Sequence, residues 1–328
     1  MKGASFSYHW VPTFRNSAYF LLESKHLNHR LRLRRPQPSS KENPMILVTG
    51  STGKVGQQLV AALKKKGVAF KALARSETSL KALVDQGVAV VKGDLGDPAS
   101  MEAALQGIDK LFLLSSASHF DRLEIRAIKA AQDAGVKHVV KLSAGGASAD
   151  STNPLLRAHA RAERALEDSG LAFTILRPSF FMQNWVAFFS HGIKAGQPVF
   201  VNAGEGRLAW IDTRDIADVA AAALTEPDHE GMVYDLTGPE ALGYGEVAAR
   251  LGQLLGREVA YVPVPDAAAF QAMKGMGMDA WYAYGMVALH QGVRRAMAEA
   301  TTGTVELVTG KAPRTLDAYL KESLGAFK

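Results

Sequence analysis

Three evenly spaced glycines follow a short apolar run, and this arrangement limits the possible folds of the chain more than any other feature. Residues 45–48 read Met-Ile-Leu-Val, and Gly50, Gly53 and Gly56 lie in the turn that follows. The apolar run predicts a fully buried parallel strand, and residues 57–66 predict a helix. A strand that enters a helix through such a turn can bind an anion, because the helix N-terminus presents free N–H groups.

The spacing of the triplet, Gly-x-x-Gly-x-x-Gly, differs from the Gly-x-Gly-x-x-Gly of the common dinucleotide fingerprint. A turn with a purely structural role therefore remains the alternative to an anion site. The surroundings favour a site, because the triplet lies between a predicted strand and a predicted helix. Glycines there let the chain turn sharply and let a pyrophosphate approach the backbone.

Predicted strands and helices alternate from the glycine turn to about residue 178. Five further strands are predicted at residues 70–75, 88–95, 111–114, 138–142 and 173–176. One of the intervening helices begins after Asp97, a helix cap that Pro98 follows. This alternation predicts an α/β fold with a Rossmann-like, doubly wound parallel sheet. The rest of the chain is less regular and predicts a smaller mixed C-terminal region.

Charge is concentrated at the start of the chain. Residues 1–44 hold eight Lys/Arg and two Asp/Glu, so they carry the whole net charge of +6 and the remainder is balanced. A balanced body has no basic stripe for a phosphate backbone, which argues against nucleic-acid binding. No apolar run is long enough to cross a bilayer. The chain has no cysteine, which excludes disulfides and thiolate catalysis, and its nine histidines lack metal-ligand spacing.

We expect three parts in the chain. Residues 1–44 form a basic leader that we interpret as disordered or non-native, with Met45 as the natural start. Because the leader is rich in arginine and poor in acids, an organelle targeting peptide is the alternative. Residues 45–180 are expected to form an NAD(P)-binding Rossmann domain, and residues 181–328 a substrate-binding region packed against it. We expect a cytoplasmic protein, a monomer or a homodimer, without membrane partners.

Candidate ligand residues follow the predicted strands, because doubly wound sheets bind ligands at the carboxyl ends of their strands. They are Gly50, Arg75, Asp94, Ser115, Ser143 and Pro178. An arginine at the end of the second strand suits the 2′-phosphate of NADP, whereas an acid there would suit the ribose of NAD. Arg75, with Lys54 as a second charge nearby, therefore predicts NADPH as the preferred cofactor and NADH as a weaker one. The alternatives are a solvated Arg75 and an Asp94 that only shapes its turn instead of binding the adenine.

The body of the chain resembles the NmrA-like group of atypical short-chain dehydrogenases/reductases over residues 45–328. Relatives in this group include NAD(P)H:quinone reductases, triphenylmethane reductases and flavin-free azoreductases. The resemblance rests on the motifs Val-Thr-Gly-Ser-Thr-Gly-Lys-Val-Gly (48–56), Leu-Ala-Arg-Ser (73–76), Gly-Asp-Leu-Gly-Asp (93–97), His-Ala-Arg-Ala-Glu-Arg-Ala-Leu (159–166), Ser-Gly-Leu (169–171), Leu-Arg-Pro-Ser-Phe-Phe-Met-Gln-Asn (176–184) and Asp-Ile-Ala (215–217).

The resemblance implies where a cofactor would lie. Residues 177–184 would cover the nicotinamide, and Ser115 and Ser116 would line its ribose. Arg75 would hold the 2′-phosphate, and the C-terminal part would form the acceptor cleft. The cofactor would be NADPH, without flavin or metal. The pyrophosphate would be held by the glycine turn, namely Gly50, Ser51, Thr52, Gly53, Lys54, Val55 and Gly56.

The usual proton donor of short-chain reductases is missing. None of the eight tyrosines has a lysine four residues later, and none lies on the helix predicted from residue 155. The Tyr-x-x-x-Lys pair that serves carbonyl reduction is therefore absent, and epimerase chemistry is disfavoured as well. His159 lies on that helix instead. It is either the catalytic proton donor or a polar residue packed at the helix surface.

Electron-poor aromatic acceptors need less help from the protein, since positioning supplies much of the rate. Phe181, Trp185, Met278 and Trp281 could line an apolar slot for such an acceptor, or they could be ordinary core. We therefore expect an NADPH-dependent reductase that transfers hydride directly to a quinone or azo compound. The alternative is an NADP-binding redox-sensing regulator without turnover.

Overall fold

The computed structural model describes residues 44–115 and 118–328. The predictions made for residues 1–43 and for Ser116 therefore lie outside the described residues. Within the described part, the strands are β1 (Ile46–Val48), β2 (Phe70–Ala74), β3 (Val90–Lys92), β4 (Lys110–Leu113), β5 (His138–Leu142), β6 (Ala172–Pro178), β7 (Val199–Val201), β8 (Arg207–Leu208), β9 (Met232–Leu236), β10 (Leu242–Gly243) and β11 (Tyr261–Pro263).

Helices connect these strands. They are α1 (Lys54–Lys66), α2 (Glu77–Val84), α3 (Pro98–Leu105), α4 (Phe120–Asp133), α5 (Pro154–Asp168), α6 (Ser190–Lys194), α7 (Thr213–Thr225), α8 (Tyr244–Leu255), α9 (Asp266–Gly275), α10 (Ala280–Arg294), α11 (Thr304–Thr309) and α12 (Leu316–Glu322). A π-helical turn, Trp185–Phe189, precedes α6, and a 3₁₀ turn, Leu324–Ala326, follows α12.

Seven strands form one parallel sheet in the order β3-β2-β1-β4-β5-β6-β9. The order runs outward in opposite directions from β1 and β4. This reversal opens a crevice at the carboxyl ends of those two strands, where ligands of doubly wound sheets bind. The predicted Rossmann-like fold is confirmed.

Apolar side chains cover both faces of the sheet. On one face Leu59 and Leu63 of α1 pack with Ile216 and Ala220 of α7. On the other face α3, α4 and α5 contribute a second layer that includes Met101 and Ile128. The central strands β1, β4 and β5 are therefore buried on both sides, which explains their nearly continuous apolar sequences.

A separate aromatic core lies in the C-terminal region, where Trp185, Trp210 and Tyr244 are buried together. The chain crosses the boundary predicted after residue 180 and then returns to the sheet. Helix α7 packs on the sheet beside α1, and β9 is the seventh strand. The division into residues 45–180 and 181–328 stays a prediction. Helix α7 and strand β9 lie beyond residue 180 in sequence but belong to the sheet and its helix layer.

Several element boundaries match the sequence pattern. Strand β5 has the predicted limits, and Asp97 caps α3 by accepting the Ala99 N–H at 3.1 Å. The prediction that α1 begins at residue 57 is wrong, because Gly53 is its cap and Lys54 its first residue. Across the described ranges, every helix is too short or too polar to cross a bilayer.

Candidate functional site

The glycine turn between β1 and α1 is closely packed, and backbone conformation and close contacts explain why glycines occupy it. Gly50 has a φ of 61°, a left-handed conformation that favours glycine. The Gly53 N–H donates to the Gly50 carbonyl oxygen at 2.9 Å. A Cβ atom on Gly56 would lie 2.0 Å from that same carbonyl oxygen. A side chain at Gly56 would therefore push α1 away from the turn.

Two hydroxyl groups fasten the turn to the neighbouring strands. Thr49 Oγ1 accepts the Leu114 N–H at 2.8 Å and lies 3.1 Å from the Phe112 carbonyl oxygen, at the end of β4. Ser51 Oγ donates to the Leu73 carbonyl oxygen in β2 at 3.0 Å. The turn is thus fixed to β4 on one side of β1 and to β2 on the other. The role of Thr49 could not be predicted from the sequence, because its partners are distant along the chain.

The start of α1 presents unused donors to the crevice. The first hydrogen bond of the helix runs from the Gln57 N–H to the Gly53 carbonyl oxygen at 3.0 Å. The N–H groups of Lys54, Val55 and Gly56 precede it and have no partner within the helix. The first turn of α1 contains no acidic residue. A pyrophosphate fits this cradle, since it needs close N–H donors and no bulk at the glycines.

Arg75 lies at the exposed end of β2, next to the cap of α2. Ser76 forms that cap by accepting the Ser79 N–H at 3.1 Å. Within the part of the chain that the structure describes, the Arg75 guanidinium makes no hydrogen bond or ion pair. A cleft of about 220 Å³ lies between the glycine turn and α2, and Ser51, Thr52, Thr78 and Ser79 are among its lining residues. Arg75 is therefore available to an anionic ligand.

Lys54 contacts a different part of the crevice. Its ammonium donates to Asn184 Oδ1 at 2.9 Å and lies 4.8 Å from the centre of the Phe188 ring. Burial lowers the pKa of Lys54. These contacts join the glycine turn to the segment after β6, and the role of Lys54 as a second charge for the cofactor stays a prediction. Asp94 accepts the Gly96 N–H at 2.8 Å, which is the turn-shaping role.

The ends of β5 and β6 are joined by a buried carboxylate. Glu163 of α5 accepts a hydrogen bond from the Ser143 hydroxyl and also pairs with Arg177, whose Nη2 lies 2.5 Å from Oε2. This hydrogen bonding raises the pKa of Arg177. The Pro178 carbonyl oxygen accepts the Gly145 N–H at 2.9 Å. Ser143 and Pro178 therefore lie side by side at the carboxyl edge of the sheet.

The end of β4 is held by a second carboxylate, Glu124, which was not among the predicted site residues. Glu124 of α4 accepts the Ser115 N–H at 3.1 Å and lies 2.8 Å from the Lys141 ammonium of β5. Both charged side chains are 0% exposed. Burial raises the pKa of Glu124, and Lys141 opposes that rise. A lysine inside the apolar run His-Val-Val-Lys-Leu was the available signal.

His159 lies on α5, close to these charges. Its ring packs on Phe120 with 4.3 Å between ring centres. Its Nδ1 atom is buried and has no hydrogen-bond partner among the described residues. Burial, with a smaller contribution from the Lys141 charge, lowers the pKa of His159 well below 6.5. The imidazole is therefore neutral at pH 7, and its catalytic role stays a prediction.

The four aromatic and methionine residues predicted to line an acceptor slot have different environments. Trp185 is 0% exposed in the aromatic core, 6.0 Å from Trp210 between ring centres, so its assignment to the slot surface is wrong. Phe181 packs against the sheet core, and Met278 is half-buried just before α10. Trp281 of α10 lies 6.3 Å from Phe120, the ring that also contacts His159. Trp281 and His159 thus share Phe120 as a neighbour.

No cluster of three or more His, Cys, Asp or Glu side chains suited to a metal ion is found in residues 44–115 and 118–328. The two buried carboxylates of the crevice, Glu124 and Glu163, are paired, whereas Arg75 and His159 Nδ1 have no partner among the described residues. The site therefore combines an anion cradle of glycines with a set of buried, paired side chains.

Comparisons with known proteins agree with this geometry. The family described as NmrA-like matches residues 42–320. The NAD(P)H azoreductase of Xenophilus azovorans is 39% identical over 285 residues, which cover 86% of this chain and 99% of that protein. The expected resemblance is confirmed.

Solved structures show the same fold. The NADPH-dependent quinone oxidoreductase QOR2 of Escherichia coli, in complex with NADPH, has a TM-score of 0.77 and 30% identity, covering 85% of this chain and 99% of that one. The triphenylmethane reductase of Citrobacter sp. has a TM-score of 0.76 and 26% identity, covering 86% and 99%. The chain therefore belongs to the NmrA-like family and is an NAD(P)H-dependent oxidoreductase with a Rossmann-like fold.

Proposed function

We propose that this protein is an NADPH-dependent reductase that passes hydride directly to an electron-poor aromatic acceptor, a quinone or an azo compound, without a flavin. The observation that carries the proposal is the crevice between β1 and β4. On one side it has a glycine cradle with unused N–H groups and an unpaired Arg75. On the other side it has buried polar residues and no Tyr-x-x-x-Lys pair.

The proposed binding mode follows from these groups. NADPH, when bound, supplies the hydride. The N–H groups of Lys54, Val55 and Gly56 hold the pyrophosphate, and Arg75 holds the 2′-phosphate as a charge-assisted contact. Ser115, Ser143 and Pro178 then border the nicotinamide end, because they lie at the carboxyl ends of β4, β5 and β6. NADH lacks the 2′-phosphate and is expected to bind more weakly.

The proton that accompanies the hydride comes from water, and His159 is assigned the hydrogen bond that stabilises the acceptor as hydride arrives. A neutral imidazole carries one N–H, and Nδ1 is buried without a partner, so Nε2 is the nitrogen left to donate. A hydrogen bond from Nε2 to the acceptor would stabilise the negative charge that develops as hydride arrives. Phe120 is buried against the His159 ring, and the half-buried Trp281 beyond it is the aromatic surface open to a flat acceptor.

The relatives support this proposal by the activities in their names, an azoreductase in one case and an NADPH-dependent quinone oxidoreductase in another. Both names describe reduction of electron-poor conjugated compounds. The missing Tyr-x-x-x-Lys pair fits such acceptors better than ketones, because quinones and azo groups accept hydride readily and depend mainly on positioning.

The test is the rate of NADPH oxidation by the purified protein with a panel of quinones and azo dyes, with NADH in parallel. We expect oxidation that requires both protein and acceptor, is faster with NADPH, and is unchanged when free FMN or FAD is added. Tight NADPH binding without oxidation across the panel would contradict the proposal and favour a redox-sensing regulator. Activity that appears only with added flavin would contradict direct hydride transfer.

A further inference from the structure

We propose that the buried Lys141–Glu124 ion pair positions the backbone at Ser115 against the nicotinamide end of the cofactor. Both side chains are then positioning residues for hydride transfer. The inference rests on the proposed function, because it takes the end of β4 as the nicotinamide side of the crevice. Neither residue is expected to touch cofactor or acceptor, since both side chains are fully buried.

The contacts form a continuous path from β5 to β4. The Lys141 ammonium donates to the Leu142 carbonyl oxygen at 3.0 Å, at the end of its own strand. It pairs with Glu124 Oε2 at 2.8 Å. The other oxygen, Oε1, accepts the Ser115 N–H at 3.1 Å, two residues after the end of β4. The carboxylate of α4 thus ties the backbone at the end of β4 to the end of β5.

Stability alone does not account for the pair. Moving two charges out of water is costly, and well-packed apolar residues of similar volume usually stabilise a fold equally well or better. Val139, two residues before Lys141 on the same face of β5, packs in the apolar layer. The pair lies instead at the carboxyl ends of β4 and β5, next to the crevice that the reversal of strand order opens between β1 and β4.

The same ammonium acts on the candidate donor. The Lys141 charge adds to burial in disfavouring the protonated form of His159. One ion pair therefore fixes the Ser115 backbone and influences the imidazole on α5. Removal of only one partner would leave an uncompensated buried charge and would destabilise the whole protein. The test therefore compares variants in which no charge is stranded.

The main variant is the double substitution Lys141→Met with Glu124→Leu, which keeps the volume and removes both charges. Lys129→Met with Asp133→Leu is the matched control, because that ion pair lies on the same helix with both side chains more than 60% exposed. A third variant, Lys141→Met with Glu124→Gln, keeps an amide oxygen that can accept the Ser115 N–H. Thermal unfolding identifies the variants that remain folded.

Two readouts are measured, kcat and KM for NADPH with a quinone, and the fluorescence anisotropy of the nicotinamide in bound NADPH. In the Leu variant we expect kcat to fall at least tenfold, KM for NADPH to change less than threefold, and the anisotropy to fall. The Gln variant should recover most of kcat and anisotropy, and the control should match the parent. A folded Leu variant with parental kcat and anisotropy would overturn the inference.

The Gln variant covers the case in which the Leu variant does not fold. A folded Gln variant with parental anisotropy then supports the role of the Ser115 contact, and one with lowered anisotropy overturns it. Failure of the proposed function gives a different result. In that case the parent oxidises no NADPH, but the anisotropy of bound NADPH still separates the Leu variant from the control.

Discussion

The two sides of the crevice differ in the groups that they present, backbone N–H groups on one side and side chains on the other. The glycine side, residues 49–56 with Arg75, presents backbone N–H groups and depends on the absence of side chains. The polar side, at the ends of β4, β5 and β6, consists of buried side chains held by Glu124 and Glu163. The first side recognises a phosphate shape, whereas the second must hold a reacting ring in one position.

This difference indicates what each side can tolerate. A backbone cradle fails when atoms are added, because there is no space beside the Gly50 carbonyl oxygen. A side-chain network fails when one partner is removed, because a buried polar group is then left unsatisfied. Addition should therefore damage the glycine side most, and removal or protonation should damage the polar side most.

The largest expected effect is the addition of one methyl group at Gly56. In Gly56→Ala the new Cβ would overlap the Gly50 carbonyl oxygen, so the turn or α1 must shift, at a cost of about 3 kcal/mol. We expect lower thermal stability and at least tenfold weaker NADPH binding, measured by nicotinamide fluorescence. Gly275→Ala is the control, since a Cβ there meets nothing within 4 Å. Equal behaviour of the two variants would contradict the steric role of Gly56.

Arg75→Ala removes a charge from the glycine side without adding atoms. Loss of a charge-assisted phosphate contact should cost roughly 1.5–3 kcal/mol and raise KM for NADPH about 10- to 100-fold, with little change for NADH. Steady-state kinetics with both cofactors measure the difference. Arg126→Ala, at an exposed position of α4, serves as the control. Equal changes in KM for the two cofactors would exclude a contact with the 2′-phosphate.

Acid should also destabilise the sheet itself through His138, the first residue of β5, at the end of the strand away from the crevice. Burial lowers the pKa of His138 to about 4, and its Nε2 lies 2.9 Å from Thr174 Oγ1. The unfolded chain, with a histidine pKa of about 6.5, binds the proton more readily than the folded protein does. His138 therefore contributes full stability above pH 6.5, and this contribution is lost as pH falls from 6.5 towards 4.

Between pH 7 and 5 the loss amounts to roughly 2 kcal/mol. The measurement is the free energy of unfolding by urea at the two pH values, for the parent and for His138→Gln. The parent should lose about 2 kcal/mol more than the variant on acidification. His191→Gln, at an exposed position of α6, should show the parental loss. The same loss in all three proteins would contradict a neutral, buried His138.

The smallest effect is expected for His159→Ala, which removes the proposed donor on the polar side. Loss of one hydrogen bond to the developing charge should lower kcat about tenfold, or roughly 1.4 kcal/mol, with NADPH binding unchanged. Stopped-flow measurement of single-turnover NADPH oxidation with a quinone separates this step from product release. Turnover within about twofold of the parent would remove His159 from the mechanism.

The sequence allowed prediction of the glycine side because its signals are local. Three glycines and an apolar run specify the turn, and Asp97 with Pro98 specifies the start of α3. The predicted start of α1 lies three residues after the observed one, because a glycine cap without a side-chain hydrogen bond leaves no signature in the sequence.

The polar side could not be predicted to the same extent, because its partners are distant in sequence. Glu124 and Lys141 meet only after α4 packs on β5. For the aromatic residues, the sequence indicated a site position that the structure does not support. Trp185 looked suited to a slot, yet it fills a core between Trp210 and Tyr244, since composition does not distinguish a core from a cavity wall.

A crystal structure of the protein with bound NADP⁺ tests the two-sided crevice most directly. We predict the pyrophosphate at the N–H groups of Lys54, Val55 and Gly56, and the 2′-phosphate within hydrogen-bonding distance of Arg75. The nicotinamide should lie between the ends of β4 and β6, against Ser115. A nicotinamide ordered elsewhere, or a 2′-phosphate without contact to Arg75, would contradict the account.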